Sequence, residues 1–345
     1  MKTSVVILNW NGKSLLERFL PNIIANTFPG ITKSDVELIV ADNGSSDNSL
    51  EFLEDKFPSV RRINLGKNHG FAEGYNQALA QADSEYAVLM NSDIEVTQGW
   101  LSILIDFMDA HPDVAACQPK IRSLRQKNFF EHAGACGGFI DILGYPFCRG
   151  RVLSCIEEDT GQYDTSIDLF WATGACLCIR MEDYRNVGGL DARFFAHMEE
   201  IDLCWRLRSR GRRIVCLPQS CVYHLGGATL NMNDPLKTFL NYRNNLLMLY
   251  KNCTNRRFIF IFIVRLFLDY LSAFFFLFSG RFGNMKSLIL ARWSFWRIKS
   301  KFKTQHIENI QQTKLSKIPE IYSGSIIFDY YFKGKRRFSD FFPGK

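Results

Sequence analysis

Four short apolar runs, each parted from the next by a helix-like stretch, fill the first ninety residues and leave few folds open to the chain. They are residues 3–8, 36–41, 60–65 and 86–90. The intervening stretches place Leu15, Leu16, Phe19, Leu20, Ile23 and Ile24 on helical spacing, and residues 48–57 and 71–82 read as further helices. Strands alternating with helices in this way build right-handed βαβ units and a mostly parallel sheet. The third run alternates in hydrophobicity and is expected nearer an edge. Such sheets bind ligands beyond the carboxyl ends of their strands.

Three of the runs end there in polar residues: Asn9-Trp10-Asn11-Gly12, Asp42-Asn43-Gly44-Ser45-Ser46-Asp47 and Asn91-Ser92-Asp93. The last is a place where a hard divalent cation could find oxygen ligands, keeping waters and substrate phosphates as the rest. Asp42 suits either a nucleoside N–H or hydroxyl, or an Asx turn. Ser45 or Ser46 is expected to cap the second helix and Thr97 the helix after Asp93. Gly66, Gly70 and Gly74 lack the spacing of a phosphate-binding glycine loop, so side chains and a metal would have to hold any diphosphate.

Farther on, residues 122–161 form a glycine-rich, irregular insertion, a length that usually carries function. Glu199, Glu200 and Asp202 crowd three carboxylates into the start of a helix. Mutual repulsion and burial raise a carboxyl pKa, which a general base requires; favourable charge at a helix N-terminus is the plainer account. His224 closes a later strand, where a lone histidine is more often structural than a ligand.

Composition bounds the rest. A chain of 345 residues with 47% hydrophobic and 22% charged residues is globular. Ten cysteines in mostly apolar contexts, with no signal-peptide pattern ahead of the first strand, read as buried reduced thiols of a cytosolic protein. The net charge of +7 resides in a C-terminal segment: residues 251–303 hold eleven lysines and arginines against Asp269 alone. Within it, residues 258–278 are apolar enough to span a bilayer, but Arg265, Asp269, Ser272 and Ser279 share one helical face. A helix lying in the membrane interface or packed on the protein is therefore expected, with basic and aromatic residues after it suited to anionic headgroups. No nucleic-acid-binding motif accompanies the basic residues. Residues 304–345 give no clear pattern.

Taken in order, these stretches, with Asn68-His69-Gly70-Phe71-Ala72-Glu73-Gly74-Tyr75-Asn76 and Thr173-Gly174-Ala175, resemble the family 2 glycosyltransferases, in particular the bacterial rhamnosyltransferase-like branch. The likeness spans about residues 1–228. It implies an α/β fold of the GT-A (nucleotide-diphospho-sugar transferase) type over 1–228, followed by a helical, basic, Phe-rich region over 229–345. It implies an inverting hexosyltransferase that moves rhamnose or another hexose from a nucleotide diphosphate sugar to a saccharide or lipid-linked acceptor in cell-surface polysaccharide synthesis, at the cytoplasmic face of the membrane. By the same likeness Asn9, Asn11 and Asp42 surround the nucleoside, and Asn68, Gly70 and Gly74 wall the donor, with Asn91 and Ser92 beside it. Asp93 and His224 hold a divalent metal, Mg2+ or Mn2+. Glu200 is the base, with Glu199 and Asp202 orienting it or the acceptor.

Two departures stand out: Asn91 occupies the first position of the metal motif, where the family has Asp, and Glu200 the base position, where Asp is usual. A processive synthase is disfavoured, since the chain lacks a Gln-x-x-Arg-Trp signature and a set of spanning helices. A non-catalytic nucleotide-sugar or glycan-binding protein is the competing expectation.

Overall fold

The computed structural model describes residues 2–28, 35–226, 234–315 and 317–344. The N-terminal half runs β1 (Thr3–Asn9), α1 (Lys13–Thr27), β2 (Val36–Asp42), α2 (Ser49–Lys56), β3 (Arg61–Asn64), α3 (Gly70–Leu79), β4 (Tyr86–Met90), β5 (Ile94–Val96), α4 (Trp100–Ala110) and β6 (Val114–Ser123). The insertion supplies β7 (Gly138–Asp141), β8 (Pro146–Cys148), β9 (Arg151–Val152), β10 (Cys155–Ile156) and β11 (Ile167–Asp168). Next come β12 (Cys176–Arg180), α5 (Met181–Asn186), α6 (Glu199–Ser209) and β13 (Arg213–His224). The C-terminal region is α7 (Pro235–Asn252), α8 (Asn255–Phe278), α9 (Phe282–Ile298), α10 (Lys303–Gln311), β14 (Ile321–Tyr322) and α11 (Ile326–Phe332).

The main sheet has the order β11-β13-β6-β12-β4-β1-β2-β3, with β3 at its edge as the sequence suggested. Its strands β4, β1, β2 and β3 are parallel. Beyond β4 the sheet is mixed: β12 enters antiparallel to both β4 and β6, and β5 and β11 pair antiparallel with β13, while β13 and β6 are again parallel in the longest ladder of the sheet. Continuous apolar strands are explained by burial on both faces. Val5, Ile7, Leu38, Val40, Val88 and Met90 join one hydrophobic cluster, while Val6, Ile39, Ala41, Ala87 and Leu89 join the other.

The insertion is more regular than its composition suggests. Strands β7 to β10 form a second sheet, completed by β14 from the C-terminal region, which pairs parallel with β7. Phe338 and Phe342 pack with tilted rings against Phe139, as does Phe341 against Phe147, while Phe342 stacks on Phe147. One hydrophobic cluster thus runs from Val6 to Phe341 across the 228/229 boundary, which itself lies outside the described residues. All ten cysteines are free thiols, eight of them buried.

Helix α8 packs with its polar face inward. Arg265 and Asp269 are buried, whereas Ile263, Phe267, Leu271, Phe274, Phe275 and Phe278 are exposed. Of the described helices it alone is long and apolar enough to cross a membrane.

Candidate active site

The loops after β1 and β2 are laced together by their own side chains. The Asn9 amide donates to Asp42 Oδ2 at 3.0 Å and to Ser45 Oγ at 3.2 Å. Asp42 Oδ1 accepts from the backbone N–H groups of Gly44 (3.1 Å) and Ser45 (2.9 Å). Asp42 is therefore an Asx-turn residue with three of its four lone-pair positions filled. Asn11 Oδ1 accepts from Ser46 N at 2.7 Å, and Asn11 N donates to Ser45 Oγ. These bonds correct the capping expectation: both serines are spent on Asn9 and Asn11, and Asp47 instead accepts from Ser49 N at the start of α2. One polar atom here is unpaired. Asn9 Oδ1 is buried without a partner, and a Cβ on Gly12 would lie 2.4 Å from it and 3.7 Å from Ser92 Oγ.

The wall beyond β2 is built around Asn43, which the sequence did not single out. Its amide donates to Asn68 Oδ1 (3.3 Å) and Gly70 O (3.1 Å), and its Oδ1 accepts from His69 N. Gly70 has φ +79°, and a Cβ there would lie 2.5 Å from the Phe195 ring; one on Gly74 would press on Leu8. Both glycines are thus required by close approach. Phe71 N donates to Phe195 O at 2.7 Å, which ties this wall to the segment leading into α6.

Asn91, Asp93 and His224 meet because β5 pairs with β13 and sets His224 opposite Ile94. Thr97 therefore caps no helix: residues 94–96 are strand, Thr97 Oγ1 donates to Cys221 O, and α4 starts only at Trp100. Asp93 Oδ1 lies 3.0 Å from His224 Nε2, and the Asn91 amide nitrogen 3.3 Å from the same ring atom. On the other side His224 Nδ1 faces Glu131 at 3.5 Å. Burial works against a charge on His224, but the two carboxylates outweigh it and push its pKa up to about 10. Glu131, inside the irregular insertion, carried no sequence signal.

Among the described residues no group of three or more His, Cys, Asp or Glu side chains is arranged to hold a metal. Asp93 and His224 would be the protein ligands of a divalent cation, a carboxylate oxygen and an imidazole nitrogen side by side, provided that the cation displaces the proton that His224 Nε2 shares with Asp93. The remaining positions would fall to water and diphosphate oxygens.

Helix α6 begins at Glu199, directly after three residues with positive φ: Phe195, His197 and Met198. Asn244 of α7 holds this segment, its amide donating to the carbonyls of Phe194, Ala196 and His197 at 2.8–2.9 Å. Glu199 is fully buried and Glu200 half-buried, each with an Oε2 that has no partner. Burial pushes the Glu200 carboxyl up to about 7; burial and the neighbouring Glu200 raise Glu199 well above its usual value. Asp202 is directed elsewhere. Its Oδ2 accepts from Arg206 (3.0 Å) and Lys251 (2.7 Å) and its Oδ1 from Asn252 (2.8 Å), so it belongs to a buried ion-pair network and not beside the base.

A mixed sheet in this topology, with its candidate site at the carboxyl-end loops, has the GT-A fold. Residues 1–349 of TarS from S. aureus in complex with UDP-GlcNAc superpose with a TM-score of 0.55 at 16% identity, covering 90% of this chain and 89% of that one. GalNAc-T7 with UDP, GalNAc and Mn2+ gives 0.58 at 14% identity over 74% of this chain and 48% of that one, about half its length. Residues 4–153 match glycosyl transferase family 2. The N-acetylglucosaminyl-diphospho-decaprenol L-rhamnosyltransferase of Mycobacterium tuberculosis is 27% identical over 239 residues, 64% of this chain and 75% of that protein. Rhamnosyltransferase WbbL of Escherichia coli is 23% identical over 227 residues, 64% of this chain and 82% of that protein.

Proposed function

We propose that the protein transfers a hexose, rhamnose first among the candidates, from a nucleotide diphosphate sugar to a hydroxyl of a saccharide or lipid-linked acceptor, with inversion at the anomeric carbon. The observation that carries this reading is Glu200, a half-buried residue whose Oε2 is buried without a hydrogen-bond partner and whose carboxyl is raised by burial to about 7. A base must reach its substrate and bind a proton near working pH. Both carboxyls meet the second demand and both Oε2 atoms are buried, but Glu200 is the half-buried residue of the two and so lies nearer to an entering acceptor than Glu199. Glu200 Oε2 takes the acceptor proton as the hydroxyl oxygen bonds to the anomeric carbon, while the bond from that carbon to the diphosphate oxygen breaks.

On the donor side, Asn9 Oδ1 and the remaining lone pair of Asp42 are the acceptors left for nucleoside N–H or O–H groups. Asn11 and Ser92 flank that corner, and Asn68, Gly70 and Gly74 form the wall. Asp93 and His224 are the protein ligands offered to a divalent cation, Mg2+ or Mn2+, with Asn91 beside them. Such a cation, when bound, supplies electrostatic stabilisation of the departing diphosphate.

An acceptor carried on a lipid agrees with the outward apolar face of α8 and the basic residues after it, and supports work at the cytoplasmic membrane surface in polysaccharide synthesis. The test is a screen of nucleotide diphosphate sugars with Mg2+ or Mn2+, measuring released nucleotide diphosphate with and without acceptor. Acceptor-dependent release by the wild type and none by Glu200→Gln is expected. Equal turnover by the variant would remove Glu200 as the base.

A further inference from the structure

Between α8 and α9 lies a groove of about 400 Å3, walled by Phe262, Leu266, Tyr270, Ile289, Trp293 and Trp296, with Arg292 as its one charged lining residue. A wholly apolar hollow of about 150 Å3 continues it past Tyr270 and Ile289 towards Leu277 and Met285. A mostly apolar groove with a single charged group in its lining has the form of a site for an amphiphile.

The charged group is one anion short. Arg292 is more than nine-tenths buried, and its Nη1 donates to Asp269, yet its Nη2 has no partner. Asp269 cannot serve it further, because its other oxygen receives Arg265 Nε at 3.4 Å. Arg265 is completed by Asn245 Oδ1 (2.6 Å), Leu143 O (3.3 Å) and the Tyr145 ring. Two guanidiniums therefore share one carboxylate. The next nearby carboxylate, Asp141, is taken up by the backbone N–H groups of Leu143, Tyr145 and Ile326. Beside the groove, Arg297 stacks on Trp293 and Lys299 on Trp296, adding cations. Tryptophan paired with cations beside exposed apolar side chains is the pattern of a bilayer's headgroup layer.

We propose that this groove seats one anionic phospholipid of the membrane, its phosphate on Arg292 and an acyl chain along Leu266, Tyr270 and Ile289 towards Leu277. The site is outside the donor and base corners. It rests on the membrane reading above and refines it from a general surface to one lipid-binding position. An arginine suits it better than a lysine, since a planar fork can serve Asp269 with one nitrogen and a phosphate with the other.

The full-length chain is titrated with monomeric dihexanoyl phosphatidylglycerol, with inorganic phosphate, and with vesicles of phosphatidylcholine alone or with one-third phosphatidylglycerol. Tryptophan emission and co-sedimentation are the readouts. Wild type is expected to bind the short-chain lipid and to favour the anionic vesicles. Arg292→Lys, which keeps the charge and a donor for Asp269, is expected to lose about tenfold in affinity for the short-chain lipid. Ile289→Glu, a change at a half-exposed position, is expected to lose at least as much, with donor turnover in detergent unchanged for both variants.

Short-chain lipid binding lost in both variants, but without vesicle binding by wild type, upholds the groove and overturns the membrane reading. Vesicle binding indifferent to both substitutions upholds the membrane reading and overturns the groove. Phosphate binding as tight as lipid binding also overturns it, as does equal binding to neutral and anionic lipid.

Discussion

Asp93 Oδ1 sits 3.0 Å from His224 Nε2, at the join of β5 and β13. One carboxylate and one imidazole hold this corner, with Asn91 where a second carboxylate would strengthen it. Each of the two ligands therefore carries a large share of any metal binding. Asp93→Asn and His224→Ala are each expected to lower metal-supported turnover on the order of 100-fold and to raise the Mn2+ concentration giving half-maximal rate. Asn91→Asp is expected to lower that concentration. Turnover measured across a Mn2+ titration checks all three, and identical titration curves would deny this corner the metal.

Glu200 ties activity to pH in a defined direction. Its carboxyl is raised by burial to about 7, so the ionised base is filled only as pH rises through that value. The logarithm of kcat/KM is expected to climb with unit slope below about pH 7 and level off above it. Glu200→Gln is expected to lose 10²- to 10⁴-fold in kcat, roughly the contribution of a positioned base. The same shift has a cost in stability. A carboxyl whose folded pKa lies above its unfolded one favours folding when protonated, and that advantage is lost as pH rises from about 4.5 to about 7. Glu200→Gln, which resembles the protonated form, should therefore be more stable than wild type at pH 8, by on the order of 1–2 kcal/mol. The gap should close towards pH 5. Thermal melts at the two pH values give the answer.

Asn244 reaches from α7 to fix the segment that orients Glu200. Removing its amide in Asn244→Ala takes the side-chain donor from the part-buried carbonyls of Ala196 and His197, while Phe194 O keeps Arg243 and Ala196 N, at a cost of about 1–2 kcal/mol. Stability alone would not distinguish a positioning role from an ordinary structural one. At a temperature where the variant stays folded, kcat should fall about tenfold with the pH midpoint displaced, because the carboxyl's surroundings have moved. Loss of melting temperature with kcat and pH profile intact would leave Asn244 purely structural.

Much of this site could be read from the chain because short-range chemistry made it. Apolar runs such as residues 36–41 specify buried strands, and residues just past a strand's carboxyl end lie at the ligand edge, so Asn9, Asp42 and Asp93 were legible. Their partners were not. His224 meets Asp93 only through the β5–β13 pairing, Glu131 comes from an insertion without periodicity, and Asn244 arrives from a helix beyond the family's matched residues. Local reading also misjudged the caps. Ser45, Ser46 and Thr97 are all suitable cap residues, but long-range strand contacts claimed their hydroxyls or backbone first. The inward polar face of α8 was foreseen as one option; that Arg265 and Asp269 would be its buried residues depends on Asn245, Tyr145 and Arg292, which only the fold brings together.

Asp202 shows how spacing can mislead. It lies on the same first turn as Glu199 and Glu200, but its side chain is fully buried and points at Lys251 and Arg206. Lys251 is itself buried and bridges Asp202 to Asp191 at 2.7 Å on each side. Asp202→Asn removes one of the two carboxylates from a network of three cations, Arg193, Lys251 and Arg206, and leaves the buried Lys251 and Arg206 short of a counter-charge. The expected loss is about 3 kcal/mol of stability, since breaking a buried pair costs more than the pair is worth intact. The kcat of folded protein should stay within about twofold of wild type and the pH profile should not move, because Glu200 keeps its surroundings. Denaturant unfolding beside a pH–rate profile measures both. A large fall in kcat with stability unchanged would return Asp202 to the catalytic group.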